Sequence, residues 1–359
     1  MSDTVTAFNF KSLPWNIVFA AGAVRRLPDE LDKLALKRAL VLSTPEQTDH
    51  AALIMSLLKD KAVGQFTRAV MHVPVETVEE AIEAVQSLKA DCSVAIGGGS
   101  TTGLGKALAL KLQLPNIVIP TTYAGSEMTN VWGMTSDGQK QTGRDDIVVP
   151  NLTIYDPELT VGLPLAISGP SGINAMAQAV VNVTAEHKNP MISALALDGI
   201  RALARSLPKL MTAPKNIDSR SEALYGACLC GGALGVGVTG LHHRICHTLG
   251  GAYNTSHADT HAIILAHTVA FNASAVPQAT AEVANALACQ DAARGIYDLL
   301  HQVSAKTNLS ALGIKETDLD RIAALTVDKD INNPKPVTQQ AVRQIIDDAY
   351  FGVPPREYH

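Results

Sequence analysis

Near Asp156-Pro157 the hydrophobic period of this chain changes, and that change constrains the fold more than any single motif. Before it, short apolar runs alternate with helical patterns. The runs are Asn16–Phe19, Arg38–Ser43, Ala69–Val73, Ser93–Ile96, Asn116–Pro120 and Leu152–Tyr155. Between several of them lie helix-period stretches such as Ala51–Lys61 and Thr77–Leu88. The second opens on Thr77-Val78-Glu79-Glu80, the pattern of a capping box. Strands separated by helices predict a mostly parallel sheet covered on both faces. From Leu163 onward, Ala/Leu-rich helical periodicity runs on without a convincing strand, as in Ser193–Leu207, Ser219–Ala233 and Thr280–Leu287. The expected organisation is an α/β domain over residues 1–159 and an all-α domain over residues 160–359. The end of the chain, with Pro354-Pro355, is expected to be irregular because proline cannot extend a helix.

A length of 359 residues suits two domains of ordinary size. The net charge of −5 gives no electrostatic case for nucleic acid or an anionic membrane, and an aromatic content of 4% gives none for base stacking. The opening MSDTVTAFNFKSLPW lacks the basic-then-apolar pattern of a signal peptide, and no apolar run reaches the ~18 residues of a membrane span. Five cysteines without a CxxC pair read as reduced, mostly buried thiols of a cytoplasmic protein.

The Ser93–Ile96 run leads directly into Gly97-Gly98-Gly99-Ser100-Thr101-Thr102-Gly103-Leu104-Gly105-Lys106. A strand, then glycines, then a helix aims backbone N–H groups at a pyrophosphate, and side chains in place of glycine would block its approach. The spacing is neither a Walker A loop nor GxGxxG, since Ala107 and Thr102 stand at discriminating positions. The next run, Asn116–Pro120, ends in Thr121-Thr122-Tyr123-Ala124-Gly125-Ser126, a second loop of hydroxyls and glycine at a strand's C-terminal end. Two such loops on consecutive strands would form one dinucleotide crevice. In the helical half, His243-x3-His247-x9-His257 puts two imidazoles on one helix face and a third just beyond, a spacing able to serve a cation or to donate hydrogen bonds. On the helix read through SGINAMAQAVVN, the i and i+4 positions that should complete a metal site hold Asn174 and Gln178, which are poor ligands for iron or zinc.

The series GGGSTTGLGKA, PTTYAGSEMT, YDPELTVGLP and HRICHTLGGAYNTSH resembles the iron-containing (group III) alcohol dehydrogenase superfamily over nearly the whole chain. Within it, the chain is most like the maleylacetate reductase branch. The resemblance implies a dehydroquinate synthase-like fold, an N-terminal Rossmann-like nucleotide-binding domain and an all-α C-terminal domain, with the active site in the cleft between the two. It implies dinucleotide binding by Thr44, Gly97, Gly98, Gly99, Ser100, Thr101, Thr121, Thr122, Ser126 and Lys140. Thr44 stands where many relatives carry an Asp that repels a 2′-phosphate, so either NADH or NADPH is expected. The metal-dependent relatives place ligands at the positions of Asn174, Gln178, His243 and His257, and the amides here imply an enzyme that works without metal. His243, His247 and His257 are the catalytic candidates, with His242 nearby and His261 and His267 read as structural.

The branch acts on a small dicarboxylate, the reaction being C=C reduction of an enone. Carboxylates call for cations, for which Arg144 and Arg244 are candidates; Asn174, Gln178 and Tyr123 complete the substrate-side set. A homodimer is expected. Three readings compete. A metal-dependent alcohol or polyol dehydrogenase would need replacement ligands such as Asp259 and His261. A dehydroquinate synthase-like lyase would need an intact metal site, and a non-catalytic dinucleotide scaffold would not need the dense histidine motif.

Overall fold

The carboxylate of Asp156 accepts hydrogen bonds from the backbone N–H groups of Gly22, Val24 and Glu158 at 2.9–3.0 Å. This ties the end of the α/β portion back to its beginning, at the point where the sequence changes period. The computed structural model describes residues 7–136, 139–185, 189–328 and 330–358. They divide into two units: Leu13–Leu163, and a second unit that starts at Pro164 and takes in the described residues before Leu13.

The first unit holds a parallel sheet of β1 (Ile17–Phe19), β2 (Ala39–Leu42), β3 (Ala62–Phe66), β4 (Cys92–Gly97), β5 (Asn116–Pro120) and, after a hairpin of β6 (Val131–Ser136) and β7 (Gln139–Arg144), β8 (Leu152–Tyr155). The spatial order is β1-β8-β5-β4-β2-β3. Its crossover helices are α1 (Leu27–Lys33), α2 (Thr48–Leu58), α3 (Val75–Leu88) and α4 (Gly99–Leu112). Successive strand side chains point to opposite faces, so each strand feeds two cores. Ala39, Val41, Val94, Ile96, Ile117 and Ile119 pack with α1 and α2. Leu40, Leu42, Ala95 and Val118 pack with α3 and α4.

Three local expectations are corrected. Ala69–Val73 is not a strand: His72 and Val73 have φ of 68° and 48°, which no strand tolerates. The strand is Ala62–Phe66, whose Gly64 and Gln65 mask its apolar character in the sequence. Helix α3 starts at Val75, so Thr77 lies inside it; Pro74 occupies the cap and there is no side-chain cap hydrogen bond, so no capping box forms. The β6–β7 hairpin is absent from the apolar runs expected above, because β7 (Gln139–Arg144) is polar and β6 is interrupted by Gly133.

The second unit is helical: α5 (Leu165–Val183), α6 (Pro190–Thr212), α7 (Ile217–Gly235), α8 (Leu241–Tyr253), α9 (His257–Asn272), α10 (Pro277–Ala286), α11 (Ala292–Val303), α12 (Leu319–Thr326) and α13 (Gln339–Phe351). Close packing of α6 on α7 depends on glycines. A Cβ on Gly199 would lie 2.7 Å from Cys230 Sγ, and one on Gly226 2.8 Å from Leu203 Cγ. After α13 the chain turns at Gly352 and is irregular, yet Tyr358 is buried against His267. None of the helices is long and apolar enough to cross a membrane among the described residues.

Candidate active site

Strands β2, β4 and β5 are neighbours in the sheet, and their C-terminal ends carry Ser43-Thr44, the triple glycine and Thr121–Ser126. Strand β3 lies outside β2 while β5 lies outside β4, so the order reverses between β2 and β4. Open parallel sheets leave a ligand crevice at such a reversal.

The glycines there have separate reasons. Gly97 has φ +152°, and a Cβ on it would sit 2.5 Å from Thr101 Oγ1 and 2.6 Å from Gln47 Oε1. Gly98 caps α4, and a Cβ there would meet Thr122 Cγ2 at 3.0 Å. Around Gly99 the nearest atom to such a Cβ is 4.0 Å away, so this face of the helix start is open. The first turn of α4 has no acidic residue, which leaves its positive end to an anion. Thr101 Oγ1 and Ser126 Oγ are buried and have no hydrogen-bond partner among the described residues. Thr121 accepts a hydrogen bond from Gln47 Nε2 at 2.8 Å, and its N–H bonds Gly97 O at 2.9 Å, so the two loops are joined. Ser100 and Thr122 are half-buried beside them, and Thr44 is the half-buried cap of the turn after β2.

Lys106, on α4, holds this arrangement from beneath. Its wholly buried Nζ donates to Ser126 O, Thr129 O, Thr129 Oγ1 and Val131 O at 2.6–2.9 Å. Burial pushes its pKa down to about 7. The nearby carboxyl of Glu127, itself raised by burial, accepts from Tyr155 OH at 2.8 Å. Tyr123 is also wholly buried. Arg144 is exposed at the end of β7 and donates to Asn130 Oδ1 at 3.1 Å. The side chain of Lys140 lies outside the described residues.

In the helical unit, α8 and α9 bring five histidines together. The i, i+4 spacing puts His243 and His247 on one face of α8 and His242 and Cys246 on the next. Helix α9 adds His257, which is its first residue rather than a loop residue, and His261 one turn on. His261 is the hub: its ring centroid lies 4.3 Å from that of His257, 4.8 Å from His242 and 5.4 Å from His243, while His243 and His247 are 6.2 Å apart. The cluster is graded. His247 and His257 are exposed, His243 is 5% exposed, and His242 and His261 are buried. Burial pushes His242 down to about 3 and His261 well below the usual histidine value, so both are neutral at physiological pH. On α5, Asn174 and Gln178 are buried, and Asn174 Oδ1 has no hydrogen-bond partner among the described residues.

The guanidinium of Arg244 is already engaged within the helical unit. It bonds Thr326 O at 2.9 Å and Leu325 O at 3.2 Å and pairs with Asp328, closing the C-terminus of α12.

Comparison with known proteins decides the family. The model for the iron-containing alcohol dehydrogenase matches residues 14–157, and the model for the C-terminal part of the Fe-containing alcohol dehydrogenase family matches residues 169–350. The chain belongs to the iron-containing alcohol dehydrogenase family. It is 47% identical to a maleylacetate reductase of Sphingobium indicum, over 97% of this chain and 99% of the relative. A maleylacetate reductase of Burkholderia cepacia is also 47% identical, over 98% and 100%. The crystal structure of maleylacetate reductase from Agrobacterium tumefaciens superposes with a TM-score of 0.94 at 45% identity, covering 98% of this chain and all of that one. A 1,3-propanediol oxidoreductase at 23% identity shares the fold, with a TM-score of 0.89. The members of this iron-containing alcohol dehydrogenase family are NAD(P)-dependent oxidoreductases.

The family's name implies a metal, and the residues of this chain do not fit one. Asn174 and Gln178 offer neutral amides where charged or imidazole ligands are needed. The suggested substitutes do not converge either: Asp259 pairs with Lys306 Nζ at 3.4 Å while His261 faces His242. Among the described residues, the one trio with clustered ligand atoms is His242, Cys246 and His261. There the two nitrogens already share a hydrogen bond of 2.9 Å, and burial keeps the thiol protonated. Sequence reasoning read His261 as structural without placing it in the cluster, and gave Lys106 no role. The i+4 step from His257 to His261 was a signal for the first; the second had none, because its acceptors are backbone oxygens.

Proposed function

We propose that this chain is a metal-independent maleylacetate reductase, reducing the C=C bond of 2-maleylacetate to 3-oxoadipate in aromatic-compound degradation. The observation that carries it is the buried amide pair Asn174 and Gln178, in a helical unit that also gathers five histidines, in a chain 47% identical to maleylacetate reductases. Bound NADH or NADPH supplies the hydride, and the Gly97–Thr102 loop with the N-terminus of α4 holds its pyrophosphate. Hydride reaches the alkene carbon β to the ketone, the C=C π electrons move toward the carbonyl, and an enolate forms. His243 donates a hydrogen bond to the enolate oxygen in place of a metal. An exposed imidazole, His257 or His247, then gives a proton to the α carbon and recovers one from water. Asn174 and Gln178 hydrogen-bond the substrate where a metal would sit. Arg144 is the remaining arginine candidate for a carboxylate. The reading extends to a cytoplasmic homodimer, which sedimentation would test.

The test is NADH oxidation, followed by absorbance, with maleylacetate and protein stripped by a strong chelator and checked by metal analysis. Rapid turnover without metal is the expected result. Turnover only after iron or zinc is restored would move the assignment to a metal-dependent dehydrogenase.

A further inference from the structure

Thr268, His242 and His261 form a buried hydrogen-bonded chain. The Thr268 hydroxyl donates to backbone oxygens one turn back, Leu265 O at 3.0 Å and Ile264 O at 3.3 Å. With the hydroxyl proton used there, its lone pair accepts from His242 Nδ1, 3.3 Å away, which assigns the proton of neutral His242 to Nδ1. His242 Nε2 is then bare and accepts from His261 Nδ1 at 2.9 Å. With its one proton on Nδ1, neutral His261 has a bare Nε2. Cys246 Sγ, 3.9 Å from His242 Nε2, stays a thiol and adds only a weak donor to the same nitrogen. His261 Nε2 is buried and has no hydrogen-bond partner among the described residues.

A buried acceptor left open is costly in a stable core and is characteristic of a site awaiting a donor. The His257 ring, 4.3 Å from His261 centroid to centroid, is the nearest imidazole by ring centre, and it sits at the exposed edge of the cluster.

We propose that His261 is a positioning residue: the Thr268–His242 chain fixes its tautomer so that Nε2 receives one N–H of His257 and turns the other His257 nitrogen toward the substrate. This rests on the reductase reading above, because it assigns His257 the protonation step. In that step the N–H bond facing substrate breaks as the C–H bond at the α carbon forms, and the nitrogen retains the electron pair. A neutral imidazole here plays the orienting part that a carboxylate plays in many triads. It keeps the interior free of a second buried charge.

The test has two arms. Nitrogen NMR of the full-length protein labelled at histidine, without substrate, should show His261 at neutral pH with Nδ1 protonated and Nε2 bare, and Thr268→Val should mix the tautomers. An Nε2-protonated or doubly protonated His261 would overturn the proposal. In kinetics, His261→Leu should lower kcat by about 10–100-fold with KM for NADH unchanged. His261→Gln, which keeps an acceptor, should recover part of that loss. Wild-type kcat in His261→Leu, or a loss no smaller in His261→Gln, would overturn it. The nitrogen spectrum is read on protein alone, so failure of the tautomer assignment is separable from a wild-type protein that does not reduce maleylacetate.

Discussion

The Nζ of Lys106 lies 2.7 Å from Thr129 O and 2.9 Å from Thr129 Oγ1, so one buried side chain ties the glycine-loop helix to the segment after β5. Ser126 O and Val131 O complete the set. Four oxygen acceptors around a single nitrogen match an ammonium, which has three protons to share, better than a neutral amine. Glu127 supplies the nearby opposite charge that offsets burial.

Lys106→Met should therefore leave several buried carbonyls unsatisfied and loosen both dinucleotide loops together. The expected cost is about 2–4 kcal/mol of stability. Thermal unfolding with and without NADH measures it: the variant should melt lower and gain less from NADH. An unchanged melting temperature would remove Lys106 from this role.

Two neighbouring glycines should behave differently. Gly97→Ala forces a Cβ onto Thr101 and Gln47 in a backbone region disfavoured for alanine, and should destabilise the fold. Gly99→Ala meets nothing closer than 4.0 Å, so its stability should match the parent. Its methyl group nevertheless stands where phosphate must approach, and NADH affinity should fall at least about tenfold, roughly 1.4 kcal/mol. Fluorescence titration beside a melting curve separates the two effects. Equal NADH affinity in Gly99→Ala would place the pyrophosphate elsewhere.

His267 is buried against Tyr358, with Nδ1 2.8 Å from the phenol oxygen. Burial pushes its pKa down to about 4. A depressed pKa means that the unfolded chain binds the proton first as pH falls. Stability should be level above about pH 6.5 and decline from there to about pH 4, where this residue's contribution of about 3 kcal/mol is gone. His242, held down to about 3, extends the decline to lower pH. Urea unfolding at a series of pH values reads the slope, and His267→Phe should make it shallower between pH 6.5 and 4, the part contributed there by His242 and His261 remaining. A slope unaltered by that substitution would mean that His267 is not buried as a neutral ring.

Asn174→Asp combined with Gln178→His puts a carboxylate and an imidazole at the two α5 positions where the resemblance implies metal ligands. The double variant should be less stable than the parent alone, because the carboxylate introduced on α5 would be a buried and uncompensated charge. It should be rescued by zinc: at a hundredfold excess over Kd, mass action adds about 2.7 kcal/mol. A zinc-dependent rise in melting temperature, absent in the parent, is the readout. No rise would show that the α5 positions and the histidines do not converge on a metal-sized space.

Much of this protein was legible as sequence because the signals are local. Strands Asn116–Pro120 and Leu152–Tyr155, the helix start after Gly98 and the i, i+4 pair His243 and His247 depend on residues a few positions apart. Side-chain periodicity alone reports those. The same periodicity misplaced a strand at Ala69–Val73, because apolar content says nothing about the positive φ that tertiary packing imposes at His72 and Val73.

What only the tertiary structure decided is where polar atoms find partners. Arg244 lies among histidines in sequence but closes α12 by bonding Thr326 O, 82 positions on. His261 lies in the same kind of apolar run as His267; it becomes the centre of the cluster because α9 packs on α8 so that Nδ1 meets His242. Lys106 looks like the end of a phosphate motif and instead holds that motif from below. Hydrogen bonds are short and directional, so their partners are set by three-dimensional packing, whereas hydrophobic burial is non-directional and leaves its period written along the chain.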